Sequence, residues 1–152
     1  MIEDAIKRIL EGHKDGSLPT EDALKHLKLL SFEDLTFANV DHHRSLRQGY
    51  PEVIFGEGKT EDEIHGIVSS MMEREHNILV TRTNASVFKQ IQQLDVKSRF
   101  HERSGAISII KDPTIHGKGT VMIVSAGTSD IPVAEEVAVT LEVMGNRTDT
   151  LY

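Results

Sequence analysis

Apolar residues recur at helical spacing from the start of the chain, where Ile2, Ile6, Ile9 and Leu10 share one face and Gly16 follows as a stop. A second amphipathic stretch comes next. Thr20 is placed to cap it, Glu21 and Asp22 suit the positive end of a helix dipole, and Leu24, Leu27 and Leu30 form the stripe. Residues 1–31 therefore read as a helical hairpin that packs or docks through its apolar faces. Between Phe32 and Lys59 the pattern breaks: polar and special residues crowd together around one short apolar strand, Glu52-Val53-Ile54-Phe55. Thr60 and Glu63 have capping-box spacing and open a helix to about His76, with Ile64, Ile67, Val68, Met71 and Met72 turned inward. A strand over Ile78 to Thr81 follows, then a helix from about Ala85 to Leu94, then one or two strands through Phe100 and Ile107 to Ile110. Strands alternating with helices predict an α/β arrangement.

Asp112-Pro113 and Gly117-Lys118-Gly119 mark a connection, and the pattern restarts after it. Thr120 to Val124 is a continuous β-branched apolar run, as in a strand buried on both faces of a parallel sheet. The chain then turns at Ser125-Ala126-Gly127-Thr128-Ser129-Asp130 and enters a helix from Pro132 to about Met144, stopped by Gly145. Arg147 to Tyr152 alternates like a second strand. A parallel strand, its crossover helix and the next strand are one unit of a larger sheet, so the expectation is that the natural protein continues past Tyr152 or that another subunit covers this unit.

Charge narrows the function classes. Lys and Arg number 17 against 24 Asp and Glu, a net charge of −7, which argues against a nucleic-acid binder working through general electrostatics. A small anionic ligand is still compatible, because a few local arginines outweigh a distant negative surface. The chain has no cysteine, hence no disulfide frame, no thiolate zinc site and no thiol nucleophile of its own. No apolar run reaches the roughly 18 residues of a membrane span, and Met1-Ile2-Glu3-Asp4 is unlike a secretory signal, so cytoplasm is the expected compartment.

Three segments carry candidate chemistry. Gly127-Thr128-Ser129-Asp130 lies where a parallel strand meets a helix start, a junction that gathers backbone N–H groups and suits phosphate; the plain alternative is a turn with Asp130 as the helix cap. Asp41-His42-His43-Arg44 with Arg47 fits an anion site of two arginines about one turn apart better than a metal site, since adjacent histidines rarely converge on one ion. The plain alternative there is a solvated, salt-bridged turn. The same Asp-His-His triplet occurs in DHH phosphoesterases, but their companion Asp-x-Asp elements are missing. Gly58-Lys59-Thr60 imitates the end of a P-loop, yet Val53 stands where the motif needs glycine, which leaves Gly56, Gly58 and Lys59 as loop contacts only. His13, His26, His65, His76, His101 and His116 are scattered, and surface or helix-side roles suffice for them.

Two long motifs resemble a known family. The run from Phe32-Glu33-Asp34-Leu35 through Asp41-His42-His43-Arg44, Leu46-Arg47-Gln48-Gly49 and Pro51-Glu52-Val53-Ile54-Phe55-Gly56 to Gly58-Lys59 is similar to LarB proteins, and so is Val124-Ser125-Ala126-Gly127-Thr128-Ser129-Asp130-Ile131-Pro132-Val133-Ala134-Glu135-Glu136. LarB is the pyridinium-3,5-biscarboxylic acid mononucleotide synthase of nickel-pincer cofactor synthesis. The resemblance implies a LarB-type amino-terminal α/β domain over 1–118 (helical hairpin 1–31, α/β part 32–118), then over 119–152 the first β-α-β unit of a flavodoxin-like domain similar to AIR carboxylase (PurE). It implies carboxylation of the pyridinium ring of nicotinic acid adenine dinucleotide and hydrolysis of its phosphoanhydride with release of AMP. It also implies a homo-oligomer, an octamer at full length, with magnesium and carbon dioxide or bicarbonate as reaction components and no tightly bound cofactor or resident metal.

Within that resemblance Gly127, Thr128, Ser129, Asp130, Arg44, Arg47 and Lys59 are the expected substrate contacts, with Asp130 the catalytic candidate. In AIR carboxylases a Gly-Ser-x-Ser-Asp turn holds phosphate and ribose; here Ser129 and Asp130 match it, while Ala126 and Gly127 replace the Gly-Ser pair. The family's activating cysteine, thought to add to the pyridinium ring, has no counterpart, nor does the Ser-Ala-His-Arg-like element of AIR carboxylases. A thiolate adduct would make the electron-poor ring nucleophilic, so this chain alone is expected to be inactive. The competing readings are an AIR carboxylase or mutase of purine synthesis, and a non-catalytic module that binds nucleotides or assembles subunits.

Overall fold

A computed structural model of the chain describes residues 2–29, 32–34, 39–41, 52–73 and 76–152. Contacts divide it into two compact units, Met1–Gly49 and Tyr50–Tyr152.

In the first unit the expected hairpin forms from α1 (Ile2–Lys14) and α2 (Thr20–Leu29), which pack together. Gly16 makes the turn at φ +81°, a conformation that a side chain would strain. Leu18 N–H donates to the Gly12 carbonyl at 2.8 Å and closes the connection. Thr20 is not the cap expected of it. Asp22 and Ala23 N–H both donate to the Pro19 carbonyl, so α2 starts on Pro19 and Thr20 is already helical. The inward face also differs from the leucine stripe: Ala23 is buried, while Leu24 is 48% exposed. Strands β1 (Phe32–Asp34) and β2 (Asn39–Asp41) form an antiparallel ribbon with Phe32 opposite Asp41. His42, His43, Arg44, Arg47 and Leu30 lie outside the described residues.

The second unit begins with β3 (Val53–Phe55), α3 (Glu61–Met72), β4 (Ile78–Thr81), α4 (Ala85–Leu94), β5 (Arg99–His101) and β6 (Ala106–Ile109). The fold is α/β, and its sheet, ordered β3-β4-β6-β5, is mixed. The α3 crossover makes β3 parallel to β4. The short turn Glu102–Gly105 can only return the chain as an antiparallel hairpin, so β6 runs against β5, and it also pairs antiparallel with β4. Helix α3 ends at Met72, four residues short of the expected His76.

Strand alternation sorts the core into two faces. Leu79 and Ala106 are fully buried on one face, against Val53 and against Val139 and Val143 of α5 (Ile131–Val143). Ile54, Ile78, Val80, Ile107 and Ile109 have the opposite parity and are also buried. That second face lies under α3 and α4, where Phe88 and Phe100 stack with centroids 5.5 Å apart.

Helix α5 is shared between two sheets. Strands β7 (Thr120–Val124) and β8 (Arg147–Leu151) pair in parallel as a separate two-stranded sheet, and α5 packs both on them and on β4 and β6. Both sheets and α5 belong to the one compact unit Tyr50–Tyr152. The reading of β7 as buried on both faces does not hold within this chain. Only Ile123 is buried, and Met122 and Val124 are 58% and 65% exposed, because α5 covers one face alone.

Candidate functional site

The direction of α5 decides where the candidate residues meet. Asn77, just before β4, donates from Nδ2 to the Val143 carbonyl at the end of α5, at 2.9 Å. Arg82, just after β4, places Nε 2.9 Å from Glu136 Oε2, near the start of α5. The helix thus runs antiparallel to β4, and its amino end lies at the carboxyl end of that strand. Gly56 to Lys59 follow β3, Arg82 and Thr83 follow β4, and Gly127 to Asp130 follow β7. All three loops share one end of the second unit. Ligands of α/β sheets gather beyond the carboxyl ends of parallel strands.

The turn before α5 is built for open contact. Asp130 N–H donates to the Gly127 carbonyl at 3.0 Å, and the first bond into the helix runs from Ala134 N–H to the Asp130 carbonyl at 2.9 Å. Asp130 sits at the cap position but makes no capping bond with its side chain. Its backbone, φ −90° and ψ −14°, is already helical, whereas a capping side chain needs an extended residue to swing onto the next amides. Pro132 removes one of those amides besides. The plain reading of Asp130 as a cap is therefore not what this geometry shows. A Cβ built on Gly127 would stand 3.4 Å from Asp130 Oδ2 and 3.6 Å from Ser129 Oγ, so both side chains turn toward the glycine. Thr128, Ser129 and Asp130 are exposed, while the Oγ of Ser125, one turn back, is buried without a partner.

The loop at Lys59 is different. Gly58 turns at φ +80°, and Gly56 is pressed against β4, donating to the Thr81 carbonyl at 2.8 Å. The α3 amino end is closed by its own capping box: Thr60 N–H donates to Glu63 Oε2 at 2.7 Å, and Glu63 N–H donates to Thr60 Oγ1 at 3.3 Å. The bond from the Thr60 amide, then that from its hydroxyl, hold the Glu63 carboxyl below its ordinary range. The P-loop resemblance thus ends in a sealed helix terminus, and Lys59 is an exposed cation beside it.

Several residues at this end were not singled out by the sequence. Ser104 N–H donates to Glu135 Oε2 at 2.8 Å, tying the β5–β6 turn to α5. Thr83 Oγ1 is buried without a partner. The run Thr81-Arg82-Thr83-Asn84, a cation set between a strand and the Asn84 cap, was the available signal; Asn84 Oδ1 does accept from Ser86 and Val87 N–H.

His101 corrects the expectation that the histidines are peripheral. Its Nε2 lies 3.0 Å from the Oγ of buried Ser108. Burial pushes its pKa below the usual histidine value, against the opposing charges of Glu135 and Glu142 and with help from Arg99. The fold therefore favours the neutral ring. That contribution is complete above the unfolded pKa of about 6.5 and is lost as pH falls through the lower folded value. Urea unfolding from roughly pH 7.5 down to roughly pH 5 should show the native chain losing stability relative to His101→Gln as pH drops. A constant difference across that range would refute it.

A groove of about 500 Å³ opens at the opposite end, lined in part by Ile110, Pro113, Ile115, Glu142 and Arg147. None of the sequence candidates lines it. The described residues hold no group of three or more His, Asp or Glu placed to bind a metal ion, and none of their helices is long and apolar enough to cross a membrane.

The profile of the LarB/PurE-like N-terminal domain matches residues 32–111. This chain belongs to that LarB/PurE-like family. The match covers the Arg44 and Arg47 segment, Lys59 and Arg82, and ties the chain to a carboxylase-type family. An uncharacterized protein of Methanocaldococcus jannaschii is 32% identical over 155 residues, covering 97% of this chain and 60% of that protein. The chain thus spans about 60% of the length of the curated relative it matches.

Proposed function

We propose that this chain is the amino-terminal portion of a LarB-type enzyme, one that carboxylates the pyridinium ring of nicotinic acid adenine dinucleotide and hydrolyses its phosphoanhydride to release AMP in the cytoplasm. The observation that carries the reading is the uncapped amino end of α5, with Ser129 and Asp130 turned over Gly127, in a chain of the LarB/PurE-like family. Backbone N–H groups at such an end favour an anion, whereas the α3 end is already filled by Glu63.

Ser129, with the backbone of Gly127 and Thr128, takes a phosphate. Asp130 would repel one, so it takes ribose hydroxyls or orients the reacting ring. Arg44, Arg47 and Lys59 add cationic contacts from the family-matched segment. Magnesium arrives with the substrate phosphates, in keeping with the ion's preference for phosphate and water oxygens. The activating thiolate comes from outside these residues, since none of them is cysteine. The working form is a homo-oligomer.

In the full-length enzyme Asp130→Asn keeps the size of the side chain and removes its charge. Turnover should fall at least about tenfold, some 1.4 kcal/mol in the barrier, with the melting temperature unchanged. Native turnover in a well-folded Asn variant would remove Asp130 from the mechanism. Saturable binding of the AIR nucleotide in preference to nicotinic acid adenine dinucleotide would replace the reading with a purine carboxylase or mutase.

A further inference from the structure

Arg82 is the one non-glycine residue with positive φ among the described residues, at +55°. An arginine gains nothing locally from the left-handed region, which crowds Cβ against its own carbonyl. The conformation is imposed from both sides. Gly56 N–H donates to the Thr81 carbonyl at 2.8 Å, and Thr83 N–H donates to the Gly105 carbonyl at 2.8 Å. Both neighbours are glycines at very close approach: a Cβ on Gly56 would lie 2.8 Å from Thr81 O, and one on Gly105 would lie 2.5 Å from Thr83 O. The end of β4 is thus clamped between two backbones, and a residue with a side chain is held in a strained state there. Strain of this kind gathers at ligand clamps.

The guanidinium is only partly used. Its Nε meets Glu136 Oε2 at 2.9 Å, and its side chain is 50% exposed. That ion pair occupies the Nε edge of the guanidinium, and the half-exposed group has further N–H donors to offer an anion. A tie between sheet and helix does not explain the arrangement. Helix α5 is already held by Asn77 at one end, by the Ser104–Glu135 bond near the other, and by Val139 and Val143 between them. One residue further along the chain, Thr83 Oγ1 is buried with no partner, which in a native fold calls for an explanation.

We propose that Arg82 is a phosphate-binding residue of this site. Its Nη fork takes two oxygens of a nucleotide phosphate, as guanidinium groups do bidentately, while Glu136 acts as the positioning residue that orients it through Nε. The inference rests on the proposed function, since it assigns this residue to the nucleotide site at the same end of the unit.

The test is a titration of the isotopically labelled chain with AMP, followed by amide and arginine side-chain signals, with adenosine as the uncharged control. AMP should move the Arg82 Nε–H and Thr83 N–H signals, and adenosine should not. Arg82→Gln should weaken AMP binding about tenfold or more. Arg82→Gly should weaken it as much while leaving the melting temperature equal or higher, because glycine relieves the backbone. Arg82→Lys, which keeps the charge without the fork, should recover part of the affinity. Native AMP affinity in either Arg82→Gln or Arg82→Gly overturns the proposal. Shifts confined to Gly127 to Asp130 would do the same and leave the proposed function standing. No shift anywhere, with AMP or with nicotinic acid adenine dinucleotide, would sink both.

Discussion

Gly105→Ala should destabilise the second unit by about 3–4 kcal/mol, the sum of left-handed strain, a backbone collision and a weakened hydrogen bond. Gly105 turns the β5–β6 hairpin at φ +64°, and its new Cβ would stand 2.5 Å from the Thr83 carbonyl oxygen. Neither partner can yield as a flexible side chain could. The turn has to move, and the bond from Thr83 N–H to the Gly105 carbonyl, 2.8 Å in the native chain, lengthens with it. Gly58→Ala is the matched control: φ is +80° and nothing lies within 4 Å, so strain acts alone and about 1 kcal/mol is expected. Thermal unfolding of the pair measures the difference. Equal losses in the two variants would show that the approach to Thr83 relaxes freely.

Asn77→Ala should cost about 2–3 kcal/mol, because it leaves four backbone polar groups on two other segments without their partner. Asn77 Nδ2 donates to the Asp112 and Val143 carbonyls, both at 2.9 Å. Its Oδ1 accepts from the Lys111 and Asp112 N–H groups, both at 2.8 Å. Both donors and both lone-pair directions are used, which is the full capacity of an amide side chain. Val143 O is among the helix-end carbonyls that lack an internal donor, so Asn77 serves as a cap supplied from the sheet. Asn77→Asp preserves the acceptor for the two N–H groups but sets a carboxylate against two carbonyls. Urea denaturation should rank native, then both variants well below it. A loss under about 0.5 kcal/mol for Ala would mean that solvent replaces these bonds.

The parts of the fold that were legible in the sequence are those with local punctuation. Strand Ile78–Thr81 and helix Ala85–Leu94 were placed to the residue, since an apolar run ends at a polar stretch and Asn84 supplies a strong cap. The Thr60 and Glu63 box was legible for the same reason. What the sequence hid depends on partners far along the chain. The antiparallel placement of β6 beside β4 follows from strand pairing, which no local pattern encodes. The exposure of β7 follows from what packs on it, whereas composition reports only what it could bury. At the candidate site, the motif from Gly127 to Asp130 was visible as a strand-to-helix turn. Its contrast with the capped α3 end needed backbone angles, because Asp130 reads as a good cap until its φ and ψ are known. Arg82 was invisible for a related reason: its left-handed backbone is set by Gly56 and Gly105, each more than twenty positions away in the chain.

The two ties on α5 have a consequence for which insertions and deletions this fold can absorb. Asn77 and Arg82 stand five residues apart, flanking β4, and hold Val143 and Glu136, seven residues apart on the helix. The strand and the helix act as two rulers fixed together at both ends. Removing one residue between Glu136 and Val143 would rotate one tie by about 100° against the other and draw them roughly 1.5 Å closer. Side-chain chemistry has room to vary at exposed positions of that span such as Val137, though not at buried Val139, and its length has none. Changes of length belong instead near Lys118 and Gly119, where the chain carries no strand or helix and a Cβ on Gly119 would meet nothing within 4 Å.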